Sequence, residues 1–236
     1  MALFSRETQV ALTIVLPAFL WTFLIASKFI HAARPMPMQA HHRVTHLSRI
    51  RWKTGDIVLF HSHPIINVVS GGPWSHVGIV LKGRTQAWLI DIDGTTQYAK
   101  IQPLVPLLTK ELQQGDRVIA VRRIETTRTD FQLELHRLAI EAVNRRVKYK
   151  HFYWKALFDR WFGWGFPLDV SHQSSSFAVC TSLVTQLLQD SGILNKSVCP
   201  TTVFPSDYGE SNPTHLHTNH GFSWGFLVFL KLAKTK

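Results

Sequence analysis

Trp74-Ser75-His76-Val77-Gly78-Ile79-Val80 leaves a polar, glycine-bearing loop and enters an apolar run. A run of this kind bounded by turn residues predicts a strand, and this strand has a histidine at its mouth. Working outward, the turn Lys53-Thr54-Gly55-Asp56 opens an earlier strand, Ile57-Val58-Leu59-Phe60. Lys82-Gly83-Arg84 turns the chain into a third over residues 87–92, which ends at Asp93-Gly94. Gly115-Asp116 introduces a fourth over residues 117–121. Short β-rich runs joined by glycine-bearing turns predict antiparallel hairpins.

Further on, the spacing of apolar residues lengthens from two to about 3.6. Thr129-x-x-Gln132 has the spacing of a capping box. Phe131, Leu135, Leu138, Ala139, Ala142 and Val143 then make one apolar stripe. A second stripe, Cys180, Leu183, Val184, Leu187 and Leu188, is expected to stop near Gly192. Strands followed by helices predict an α+β fold, an antiparallel sheet or barrel packed against helices. Residues 149–168 are crowded with aromatics, interleaved by Lys150, Lys155 and Arg160. They read as cover over the sheet, or as an acyl-chain groove or membrane-contacting lid. The apolar run 222–230 is too short to span a bilayer and is expected to form a last strand or a surface-seeking tail.

The chain has 236 residues, enough for one domain with an appendage. Hydrophobic residues make up 45%, enough for a core, and charged residues only 17%, which argues against long disordered stretches. Lys and Arg number 26 against 15 Asp and Glu, a formal net charge of +11. That balance favours anionic surfaces. No nucleic-acid-binding signature is present, so no nucleic-acid partner is expected and membrane lipids are. Residues 10–27 run without a charge, and at about 1.5 Å per residue they reach roughly 27 Å, the thickness of a hydrocarbon core. Lys28, Arg34, Arg43, Arg49, Arg51 and Lys53 follow before the next acidic residue, Asp56. The expected organisation is a single transmembrane anchor over residues 1–30, a basic juxtamembrane tether over 31–52 and a globular domain over 53–236. Positive flanks stay cytoplasmic, which puts that domain on the cytosolic side.

Two residues carry chemistry. Cys180 and Cys199 are the only cysteines, too few for a disulfide scaffold. Cys180 sits on an apolar stripe and reads first as a small buried residue. It also stands where its helix begins, with Ser174, Ser175 and Ser176 just upstream as candidate N-caps. A strongly activated thiol titrates at about 3–4 instead of about 8.5. That difference is about 6 kcal/mol, of which a helix terminus supplies at most about 2 kcal/mol. The remainder calls for a cationic partner. Of thirteen histidines, His76 has the context for it: a ring held at a sheet end by rigid backbone. Its other nitrogen needs an orienting acceptor, and Asp91 and Asp93 share one face of the neighbouring strand. His215, His217 and His220 cluster in a loop without a supporting pattern, so neither a metal nor another cofactor is expected.

Gly55-Asp56-Ile57-Val58-Leu59-Phe60, Ser75-His76-Val77-Gly78-Ile79-Val80 and Cys180-Thr181-Ser182-Leu183-Val184 together resemble the circularly permuted, NlpC-type papain-like cysteine hydrolases. These include YiiX-like proteins, poxviral relatives and, more distantly, lecithin retinol acyltransferase. The resemblance covers roughly residues 52–210. It implies a histidine that precedes the cysteine in the chain and a third polar residue near Asp91, where the family often has glutamate. It implies acyl transfer through a thioester, with Cys180 as nucleophile, His76 as acid and base, and Asp91 as orienting group. Substrates would be acyl, amide, ester or peptide compounds, lipid-like or N-acyl ones among them. The alternative is a non-catalytic membrane-bound adaptor that keeps the fold for binding.

Overall fold

The computed structural model describes residues 22, 42–43, 47, 50–61, 67, 72–92, 97–113, 118–149, 177–200, 202–209 and 216–231. The fold is α+β. Its strands are β1 (His42–Arg43), β2 (Ile57–Phe60), β3 (His76–Lys82), β4 (Ala87–Ile92), β5 (Ala99–Pro103), β6 (Ile119–Thr126), β7 (Lys148–Tyr149), β8 (Phe177–Ala178) and β9 (Phe222–Lys231). Its helices are α1 (Leu104–Gln113), α2 (Phe131–Asn144), α3 (Cys180–Asp190) and α4 (Pro205–Gly209). The main sheet has the order β1-β9-β6-β2-β3-β4-β5. Six of its strands run antiparallel, and β1 adds in parallel to β9. Among the described residues it is an open sheet with edges at β5 and β1, not a closed barrel.

The sheet is buried on both faces. Strand alternation sends Ile57, Leu59, Val77, Ile79, Ile90 and Ile92 into one core, which they share with Phe131, Leu135 and Ala139 of α2 and Leu183, Val184 and Leu187 of α3. Val58, Phe60, Val80 and Leu89 point the other way, to Leu104, Leu108 and Leu112 of α1. The expected stripes of α2 and α3 therefore pack as their spacing indicates, and α3 ends at Asp190, just ahead of Gly192, whose φ of +76° suits the residue that stops a helix.

Several expectations are corrected. The fourth strand starts and ends later than 117–121, at Ile119–Thr126: its first half pairs with β2, and β9 pairs with it along its whole length. That pairing shifts register between Arg122 and Ile124. A bulge frees backbone groups from the ladder, and the buried Arg122 guanidinium takes the Gly225 carbonyl at 2.9 Å. The Thr129 capping box does not form. Asp130 is the N-cap residue of α2 and makes no side-chain cap; its backbone is already helical (φ −80°, ψ −24°) instead of in the extended region from which a side chain caps. The last apolar run, by contrast, forms the expected last strand, β9, inside the sheet. Residues 10–27 lie outside the described residues except Thr22, which is helical. Among the described residues no helix is long and apolar enough to cross a membrane.

The turn ahead of β2 carries a buried charge. Gly55 has φ +93°, which leaves the adjoining Asp56 Oδ2 to accept from the Lys53 N–H at 2.9 Å. Arg123 Nε stands 3.7 Å from the other oxygen. Burial pushes the Asp56 carboxyl up to about 6, against the Lys53 N–H and the charges of Arg123 and Lys53. A carboxyl raised in the fold favours the protonated form, so its contribution to stability is complete below about pH 3.8 and is lost as the pH rises through about 6. Asp56→Asn is therefore expected to stabilise the protein at pH 7, by up to about 3 kcal/mol, and to show no advantage below about pH 4. Denaturant melts of both proteins across that range measure it.

Candidate active site

Three side chains on three adjacent strands come together at one end of the sheet. His76 is the first residue of β3 and lies opposite Phe60 of β2, their ring centroids 5.5 Å apart. On the other side β4 pairs Ile90 with Ile79. Continued by one residue, this register sets Asp91 opposite Gly78 and diagonally next to His76, on the same face. His76 Nε2 meets Asp91 Oδ2 at 3.1 Å. Asp91 is itself buried, 3% exposed, whereas His76 is partly open. Of the two carboxylates left open by the sequence, Asp91 makes this contact; Asp93 lies outside the described residues.

Cys180 is the first residue of α3. Val179 before it is extended, with φ −99° and ψ 168°, and serves as N-cap in place of any of Ser174–176, which lie outside the described residues. Valine cannot cap with its side chain, so Ser182 does the reverse: its Oγ accepts from the Val179 N–H at 2.8 Å. This is the backward half of a capping box. It fixes the turn on which the sulfur stands. The N–H groups of a first turn have no partner within their helix, and they favour negative charge beside them.

Strand parity puts His76 on the α1 side of the sheet, whereas α3 packs on the opposite side. The two still meet, because each is terminal: a ring at the start of a strand reaches past the sheet's end to a side chain at the start of a helix. His76 is hydrogen-bonded to Asp91 and lies close enough to the Cys180 side chain to interact with it. With Nε2 taken by Asp91, Nδ1 is the nitrogen left for sulfur. Burial disfavours a charged ring here, but the negative charge of Cys180 and the bond to Asp91 outweigh it and push His76 up to about 10. The surroundings thus favour the protonated ring. Neither Cys180 nor Cys199 is in a disulfide, so no Cys180–Cys199 bridge forms.

Sequence reasoning missed the elements that brace this site. Tyr208, fully buried on α4, donates to Thr185 Oγ1 at 2.7 Å, since that hydroxyl itself donates to the Thr181 carbonyl at 2.7 Å. Burial, opposed by the Thr185 bond and helped by the charges of Asp207 and Cys180, pushes the phenol far up, so it stays neutral. The signal for α4 was legible: Pro205 at a helix start and Asp207 reaching back to the Phe204 N–H at 2.7 Å. At the end of α4, Gly209 abuts the buried indole of Trp74, two positions before His76. An alanine methyl there would land on the indole nitrogen and Cδ1. Gly209→Ala is expected to cost about 1–3 kcal/mol by overpacking and to lower Cys180 reactivity by moving the Trp74–His76 segment. Thermal melting and thiol alkylation rates check the two effects.

The chain matches no protein-family model and no curated protein. What it can do chemically therefore rests on its own side chains. They comprise a thiol at a helix start, a ring that holds a proton beside it, and a buried carboxylate behind the ring. Among the described residues no group of three His, Cys, Asp or Glu side chains could hold a metal ion. His217 and His220 are exposed and His215 lies outside the described residues.

Proposed function

We propose that this protein is a thiol hydrolase or acyltransferase of the permuted papain-like kind, anchored at a membrane surface and acting on amide or ester bonds through a thioester. The observation that carries the reading is the place of His76 between two groups: Asp91, bonded to it at 3.1 Å, and the Cys180 side chain, which acts on the ring from the other side. An imidazolium beside a thiolate supplies the cationic partner that a helix terminus alone is too weak to replace.

In this mechanism the Cys180 thiolate attacks the substrate carbonyl carbon. The Cys180 N–H, at the first helical residue, helps to stabilise the oxyanion. His76 gives its proton to the departing amine or alkoxide as the carbon–heteroatom bond breaks, which leaves the acyl group on sulfur. The now neutral ring takes a proton from water or an acceptor amine, which attacks the thioester and frees Cys180. Asp91 keeps the ring in place through both steps. The apolar run at 10–27 and the basic residues behind it favour substrates presented at a lipid surface, among them lipid-like and N-acyl compounds.

The test is a trap for the acyl-enzyme. Full-length protein is mixed with a panel of ester, amide and peptide substrates, quenched in acid and mapped by mass. An acyl adduct on Cys180 with one class of substrate supports the reading and names the bond. Absence of any adduct, together with alkylation of Cys180 no faster than that of Cys199, points to a non-catalytic adaptor instead.

A further inference from the structure

Asp91 has a second partner, on a strand that the sequence reading did not anticipate. Gln102 lies on β5 opposite Leu89, and Asp91 lies opposite Lys100, so Gln102 is diagonal to Asp91 on the same face. Its Nε2 stands 3.2 Å from Oδ1 and 3.3 Å from Oδ2 of that carboxylate. His76, Asp91 and Gln102 thus form one diagonal row across β3, β4 and β5. We propose that Gln102 is a positioning residue of this site, whose side-chain amide clamps the Asp91 carboxylate in the orientation that receives the His76 ring. The inference rests on the Cys180–His76 reading and extends it by one residue.

Geometry gives the reason. A carboxylate held only through Oδ2 can turn about its Cβ–Cγ bond. A donor shared between both oxygens restrains that rotation, and it leaves Oδ2 facing His76. The amide is also a suitable donor chemically. It is neutral, so it orients Asp91 without competing with the imidazolium for its charge, as a lysine or arginine at this position would. Its backbone is well anchored. Pro103 ends β5 and Leu104, fully buried, starts α1, whose Leu104, Leu108 and Leu112 pack in one core with Val80 and Leu89 of the neighbouring strands. Among the described residues, the charged or titratable groups that face Asp91 are His76 on β3, Lys100 on β5 and, beyond the ring, Cys180 on α3.

The experiment compares full-length wild type with Gln102→Leu, Gln102→Glu, Asp91→Asn and His76→Gln. Two quantities are read against pH: the His76 ring titration by NMR of labelled histidine, assigned by its loss in His76→Gln, and the rate of Cys180 alkylation by iodoacetamide. Gln102→Leu is expected to lower the His76 titration by about one pH unit, in the same direction as Asp91→Asn, and to slow alkylation about tenfold near neutral pH. Gln102→Glu sets two carboxyls against each other, one of which must hold a proton to donate. Its alkylation rate relative to wild type is expected to climb as the pH falls, a rescue that a merely structural glutamine would not give. An unchanged His76 titration in Gln102→Leu, with Asp91→Asn shifted, overturns the clamp. Should the leucine variant fail to fold, a Gln102→Glu ratio flat with pH overturns it equally. Alkylation indifferent to His76→Gln sinks the catalytic reading instead, and a lowered His76 titration in Gln102→Leu would then still uphold the clamp on the His76–Asp91 pair.

Discussion

Replacing Cys180 with alanine is expected to reduce turnover by at least about a thousandfold and to leave the fold standing. The magnitude follows from the role. A nucleophile that acts as a unit with its base loses nearly the whole of the covalent route when either is removed, and what survives comes from binding and oxyanion stabilisation. Stability should change little, because Cys180 is half-buried at the edge of the core and only its sulfur is lost. The substitution also removes the charge that contributes most to raising His76, so the ring should titrate lower in the variant. Acyl-enzyme mass spectra, a thermal melt and the histidine NMR titration read these three consequences. Persistent turnover in a folded Cys180→Ala protein would end the assignment.

The second large effect concerns the imidazole. His76→Asn is expected to cost about a hundredfold to ten-thousandfold in rate, since the leaving group loses its proton donor and the thiolate its counter-charge. The pH profile carries the sharper signature. In the wild type the ring is held up to about 10, above the ordinary 6.5, so the activity that needs a protonated ring should persist through neutral pH and fall away on the alkaline side near 10. Asp91→Asn removes a hydrogen bond and a charge that both raise the ring. Its alkaline limb should therefore move to lower pH, while the attraction of Cys180 keeps it from returning fully to the free value. The apparent values belong to the coupled pair. An alkaline limb that does not move in Asp91→Asn would show that this carboxylate has no part in holding the proton.

Much of the fold was legible because burial leaves periodic marks. The runs 57–60 and 87–92 are strands with the expected bounds, and the stripes from Phe131 and from Cys180 face one core. What escaped notice had weaker marks. β5 is a five-residue edge strand with Lys100 and Gln102 on one face, and it ends in Pro103, so neither composition nor alternation singled it out. Yet Leu104, Leu108 and Leu112 just beyond it keep helical spacing, and Pro106 is tolerated in a first turn. The capping error at Thr129 has a different origin. The local pattern was right for a box, but the helix starts one residue later, with Asp130 at the N-cap in helical backbone. A shift of one residue at a helix end is not visible in spacing alone.

By itself, the order of residues determined that a histidine would open a strand, that a cysteine would begin a helix, and that acidic residues would stand on the strand next to that histidine. These are local consequences of turn chemistry and apolar period. Only the tertiary structure decided that Asp91 holds the ring, that Gln102 stands behind Asp91, and that α4 supports the segment before His76. Those outcomes depend on strand register and on which chain ends meet at the sheet's edge. Register is set by burial of whole faces at once, so no short stretch of sequence contains it.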